Sequence, residues 1–185
     1  MKYLLSLLLL FSFTGCGKDG SNSTPAAPES PTTETIPQET NRNPLKYVEL
    51  ITPSGAVVKT SIAYTSSEKT QGLQGVRDSE FNEDQGKLFF YHTTTARSFW
   101  MPNTYFDLDI IYLDENLKVL DIVADLPHYE GNNSSQTPRA PSIISRHVLE
   151  MKASSIISST LKVGDILEWK SPLTLKQTEI QLRNQ

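Results

Sequence analysis

The chain has 185 residues, 37% hydrophobic and 21% charged, with a formal net charge of −4, which suits one globular domain plus an additional segment. The acidic balance argues against nucleic acid or anionic lipid as a partner. A single cysteine, Cys16, excludes an internal disulfide.

The first element is an address rather than fold. Lys2 supplies a short positive region, Leu4 to Phe11 is an apolar run interrupted only by Ser6, and Ser12-Phe13-Thr14-Gly15 leads to Cys16. The run is too short to span a bilayer and reads as a signal peptide over residues 1–15. Phe13-Thr14-Gly15-Cys16 resembles the bacterial lipoprotein box, with Phe where Leu is usual; the resemblance implies that Cys16 is acylated on sulfur and becomes the first mature residue. Each buried acyl methylene contributes about 0.8 kcal/mol, so several chains anchor stably. Gly17, rather than Asp, after the Cys implies by the same resemblance a place on the periplasmic face of the outer membrane in a host with two membranes. Cleavage removes only Lys2 among the charged groups and leaves a net charge of −5. The membrane is therefore a partner through the lipid at Cys16, not through the protein surface.

Residues 16–44 read as a disordered tether. Between Ser21 and Pro44 lie five Pro and eight Ser or Thr, with Ala26, Ala27 and Ile36 as the apolar residues. Such a tract cannot bury enough surface to offset its conformational entropy.

A globular domain is expected over residues 45–175, followed by a tail at 176–185. Lys46 to Ile51 and the β-branched stretch Ala56 to Tyr64, separated by Pro53-Ser54-Gly55, predict a hairpin. Thr65 with Glu68 three residues later fits a capping box for a short helix ending at Gly72 or Gly75. Lys87 to Tyr91 reads as a buried strand. Phe99 to Met101 is extended, because the residue before Pro102 avoids the α region. Asp109 to Leu113 and Lys118 to Val123 flank a turn at Asp114-Glu115-Asn116 and predict a second hairpin. Residues 125–142 form a long polar loop, functional or mobile. A strand at 146–151, a helix at 153–159 and a strand at 166–169 complete the domain. The fold class expected is mainly β, a compact antiparallel barrel or sandwich with one or two short helices.

Gln71-Gly72-Leu73-Gln74-Gly75, Asp84-Gln85-Gly86-Lys87-Leu88-Phe89-Phe90, Phe99-Trp100-Met101-Pro102-Asn103-Thr104 with Leu108-Asp109-Ile110, His147-Val148-Leu149-Glu150 and Leu161-Lys162-Val163-Gly164-Asp165 occur in that order. Together they resemble the bacterial and archaeal family known as domain of unknown function 192, over roughly residues 57–169. The resemblance implies a compact β-rich fold and no established reaction. The chain departs from the family pattern at Gln74 and Lys87, where Met is usual, at Asp107, where Pro is usual, and in lacking a Cys in the 125–142 loop.

Catalytic templates find little footing. His92, His128 and His147 show no local metal-ligand spacing, so no metal site and no cofactor are expected. Neither a G-x-S-x-G elbow nor a phosphate-cradling glycine loop occurs, and an acylated Cys16 cannot act as a nucleophile. What stands out is polar residues within apolar sequence: Asn103, Asp109 and Glu150, with Arg97 and Arg146 as possible counter-charges, beside Trp100. One reading is structural, with Asn103 and Thr104 fixing a turn, Asp109 holding a loop backbone and Trp100 in the core. The other is a ligand cleft with Trp100 as stacking surface and Arg97, Asn103, Asp109 and Glu150 as anchors, suited to a sugar or peptide fragment of the cell wall. The first functional expectation is a non-catalytic envelope lipoprotein binding a small ligand or a partner protein. The alternative is a hydrolase of envelope carbohydrate or peptide with Asp109 and Glu150 as acid and base, which requires the two carboxyls to converge within about 5–10 Å.

Overall fold

A computed structural model describes residues 45–185. The lipidation, signal and tether expectations for Cys16 and its surroundings lie outside the described residues.

The predicted β1–β2 hairpin forms from Tyr47–Ile51 and Val57–Ala63, paired antiparallel from Tyr47 opposite Ser61 to Ile51 opposite Val57. Thr52 and Gly55 close its turn, with Gly55 at φ 83°, a backbone region that glycine enters without steric cost. The capping box is present at α1, Ser66–Gln71: Thr65 Oγ1 accepts from Glu68 N, and Glu68 Oε2 accepts from Thr65 N. An ion pair from Lys46 to Glu68 ties this turn to the chain leading into β1.

β3 (Gln85–Phe89) runs parallel to β2, and the remaining neighbours in the sheet are antiparallel. With β5 (Leu108–Leu113), β6 (Val119–Leu126), β8 (His147–Lys152) and β9 (Glu168–Lys170) they form a seven-stranded sheet ordered β6-β5-β8-β3-β2-β1-β9. The sheet curls into a half-barrel. Its two ends approach where Val119 N donates to Asp165 O and Leu167 N donates to Leu117 O. β4 (Thr95–Arg97) and β7 (Ile143–Ser145) make a separate two-stranded ribbon.

Both sheet faces are covered. On one, Val58, Leu88, Ile111, Leu149 and Met151 pack beneath α2 (Ile156–Thr160) and α3 (Leu175–Arg183). On the other, Phe89, Ile110, Tyr112 and Val148 pack against Leu73, Phe81, Phe99, Met101 and Phe106. The central strands β5 and β8 are buried along their whole length, which explains their continuous rather than alternating apolar sequence.

Among the described residues three α-helices form, where one or two were expected. Residues 176–185, expected as a tail, belong mostly to α3, whose Thr174 side chain caps Gln177 N in a second capping box. Only Leu182 and Thr178 of this helix are buried, so its apolar stripe is too narrow to announce a helix by periodicity.

Candidate functional site

The segment from Phe99 to Met101 is extended, and its side chains alternate. Phe99 and Met101 enter the core, while Trp100 between them is 42% exposed. This backbone binds the long polar loop: Met101 N donates to Pro138 O, and Ala140 N donates to Phe99 O. Arg139 from that loop stands over the Trp100 ring at 4.8 Å. Trp100 is therefore not the core residue of the structural reading.

Asn103 follows at φ 49°, a left-handed turn that Asn tolerates better than most residues. Its N donates to Gly131 O, its O accepts from Gly75 N, and its Oδ1 accepts from Tyr105 Oη. Thr104 Oγ1 donates to Met101 O and accepts from Tyr129 N. Asn103 is thus a turn residue that fastens two loops together, as the structural reading expects.

Asp109 is buried in β5 with both oxygens engaged. Ser158 Oγ of α2 donates to Oδ2, and Asp125 N donates to Oδ1. Burial pushes its carboxyl up from the usual range, and those two hydrogen bonds act against the rise.

Glu150 is buried as well, but its Oε2 has no hydrogen-bond partner in the structure. Burial raises its pKa to about 8, opposed only by the positive charge of Lys87 directly across the strand pair. At neutral pH Glu150 is therefore mostly a neutral acid, able to donate one hydrogen bond and accept another.

The register separates these two carboxyls. In the β5–β8 ladder Asp109 stands opposite Met151, and Ile110 stands opposite Glu150. Side chains alternate between faces, so Asp109 lies on the Met151 face and Glu150 on the Ile110 face. They cannot work as acid and base across one cleft, and that part of the hydrolase expectation fails. Arg146 and Arg97 are not counter-charges for them either. Arg146 pairs with Glu179 of α3, while Arg97 stacks on Tyr91 at 3.3 Å and donates to Thr93 O.

Glu150 opens into a narrow cleft between the end of α1, the turn at 72–74 and the segment 99–101. Lys69 and the exposed Trp100 are among its lining residues, the Lys69 ammonium 4.3 Å from the Tyr91 ring. Gly72 at φ 49° keeps one wall thin, since a Cβ there would meet the Phe89 ring at 3.2 Å. The cavity measures about 40 Å³, room for roughly three waters or one small chemical group. Among the described residues, Lys69, Lys87 and Arg97 have no carboxylate oxygen within the 4.0 Å of an ion pair. Burial depresses the pKa of each, and the charge of Arg97 lowers that of Lys69 further.

His147 lies at the edge of this region, buried, with Nδ1 accepting from Tyr91 N. Burial first, then the cations Arg146 and Arg97, lower its pKa to about 3. It is a neutral structural histidine. Among the described residues no group of three His, Cys, Asp or Glu could hold a metal.

A profile of the family DUF192, described as an uncharacterized ACR, matches residues 49–169. The chain belongs to this family. The DUF192 match spans every strand of the half-barrel except the first two residues of β1 and the last of β9. Two solved structures share the fold. One is a protein of unknown function from Novosphingobium aromaticivorans DSM 12444, 28% identical, covering 66% of this chain and 84% of that one with a TM-score of 0.54. The other, from Sinorhizobium meliloti 1021, is named as a proposed transcription regulator; it is 27% identical and covers 67% of this chain and 92% of its own, with a TM-score of 0.51. No curated protein matches the chain.

Sequence reasoning thus found two residues of the cleft, Trp100 and Glu150, and missed Lys69 and Gly72. The Gln-Gly-Leu-Gln-Gly motif at 71–75 contained the signal: a glycine directly after a capped helix marks a close backbone approach. Two departures from the family pattern also find their places. Lys87 faces Glu150 across the ladder, and Asp107 accepts from His128 N at 2.8 Å while lying 2.6 Å from His128 Nδ1.

Proposed function

We propose that the protein is a cell-envelope lipoprotein, anchored through an acylated Cys16, whose domain binds a small ligand without catalysing a reaction on it. The observation carrying this reading is the buried Glu150 carboxyl, with Oε2 unpartnered, at the floor of a cleft also lined by the exposed Trp100. A buried polar atom without a partner is costly. A ligand carbonyl that accepts a hydrogen bond from the protonated Glu150 would remove that cost while a flat face rests on the indole. The cleft is too small for a sugar ring, so the part that enters is an end group such as an acetamido or peptide amide. This suits fragments of cell-wall carbohydrate or peptide. The tether at residues 16–44 would give the domain reach from the bilayer.

The test is thermal denaturation of the full chain with N,N′-diacetylchitobiose and with alanyl-alanine as probes. A saturable rise in melting temperature with either probe is expected, lost in Trp100→Ala and reduced in Glu150→Gln. An unchanged melting temperature with both probes contradicts the reading. Incorporation of radiolabelled palmitate, abolished by Cys16→Ala, tests the anchor; equal labelling of the variant contradicts it.

A further inference from the structure

One row of side chains crosses the sheet on the Glu150 face. Tyr47 on β1 stands opposite Ser61 on β2, Ser61 opposite Lys87 on β3, and Lys87 opposite Glu150 on β8. The row begins outside the cleft, in a groove over β1, β2 and β3 walled by Leu73, Val76 and Phe81. Leu73 lines both depressions. The groove has a cavity volume of about 570 Å³, within the range of small-ligand sites.

Its charged groups are unequally satisfied. Lys59 pairs with Asp84 at 2.7 Å. Glu80 is turned to its own turn, where Oε2 accepts from Arg77 N at 2.9 Å. Lys87 is half-buried and has no carboxylate oxygen within 4.0 Å among the described residues. Glu150, which stands opposite it on β8, lines the cleft and not this groove. An ammonium held in this way beside an apolar wall of Leu73, Val76 and Phe81 is complementary to an anion attached to an apolar body.

We infer that this groove is a second binding site, distinct from the Trp100 cleft, and that it takes a carboxylate carried on an apolar chain, with the carboxylate on Lys87 and the chain along Leu73, Val76 and Phe81. A fatty acid and the C-terminus of an apolar peptide share this chemistry. The site is peculiar to a chain with a cation at position 87, because an apolar side chain there leaves only a greasy trough.

Isothermal titration of the full chain with octanoate, octylammonium and trileucine tests the inference. Octanoate or trileucine should bind saturably, octylammonium should bind about tenfold more weakly or not at all, and Lys87→Met should weaken the carboxylate by about tenfold. Tighter octanoate identifies an acyl chain as the natural source, and tighter trileucine a peptide terminus. Equal binding of octanoate and octylammonium by the wild-type chain overturns the inference without any variant. So does unchanged carboxylate binding in a Lys87→Met chain that retains its cooperative melt, or no saturable binding of either carboxylate.

Discussion

Asp109 and Glu150 occupy neighbouring positions on adjacent strands and are equally buried, yet they sit in opposite situations. Asp109, 5% exposed, has Ser158 and the Asp125 backbone on its two oxygens. Glu150, 4% exposed, has an oxygen with no partner and a cation across the ladder. The difference separates two uses of a buried carboxyl. One is a structural tie between β5, β6 and α2; the other is held as an acid at the floor of a cleft. Burial alone does not tell them apart, and only the partner count does.

The largest expected effect is on the Glu150 side and depends on pH. The unfolded chain ionises Glu150 near its ordinary value of 4.5, whereas the folded protein keeps the proton to about 8. Between these values the folded state binds more protons, so stability falls as pH rises. His147 does the reverse: it protonates near 6.5 when unfolded and near 3 when folded, so its contribution is complete above 6.5 and is lost as pH falls towards 3. The two slopes oppose each other between 4.5 and 6.5, and above 6.5 that of Glu150 remains. Across the full window from 4.5 to 8 it amounts to about 3–5 kcal/mol. Urea denaturation from pH 6 to pH 9 should show the decline in the wild-type chain and a flatter profile in Glu150→Gln; parallel profiles would remove the distinction between the two carboxyls.

On the Asp109 side the effect is a loss at all pH values near neutrality. Asp109→Ala leaves the Ser158 hydroxyl and the Asp125 N–H buried without an acceptor, at a cost of about 2–4 kcal/mol. Denaturant midpoints measure it, and a Ser158→Ala background should absorb part of the loss if the tie is as described. An Asp109→Ala chain as stable as wild type would mean that Asp109 is no tie at all.

The smallest effect belongs to Trp100. With 42% of its surface exposed, Trp100→Ala should change stability by less than about 1 kcal/mol, whereas Phe99→Ala on the neighbouring core position should cost about 3–5 kcal/mol. Comparable losses at both positions would return Trp100 to the core and close the cleft reading.

These contrasts also show which features were legible in the sequence. The β1–β2 hairpin, the Thr65–Glu68 capping box and the β5–β6 hairpin follow from local signals, and the structure has all three. The segment Phe99 to Asn103, where polar and apolar residues mix, is extended with alternate burial and ends in a left-handed Asn turn, both local effects. The sides taken by Asp109 and Glu150 depend instead on the register of β5 against β8, strands that are far apart in the sequence. A slip of one residue would bring both carboxyls to one face, and no nearby residue fixes it. The helix α3 was hidden for a different reason, because only two of its residues face the core. Lys69 lies on α1, in the crossover that carries the chain from β2 to the parallel β3, and its place at the cleft is again a non-local fact.

The central claim is that Glu150 is a buried neutral acid facing an open cleft. Carboxyl carbon chemical shifts followed by NMR from pH 4 to pH 10, with Glu150 assigned through Glu150→Gln, address it directly. The account predicts a Glu150 midpoint near 8, moved upward in Lys87→Met as the one opposing charge is removed. A midpoint near the ordinary 4.5 would contradict it, and would make Glu150 a solvated or paired carboxylate like any other.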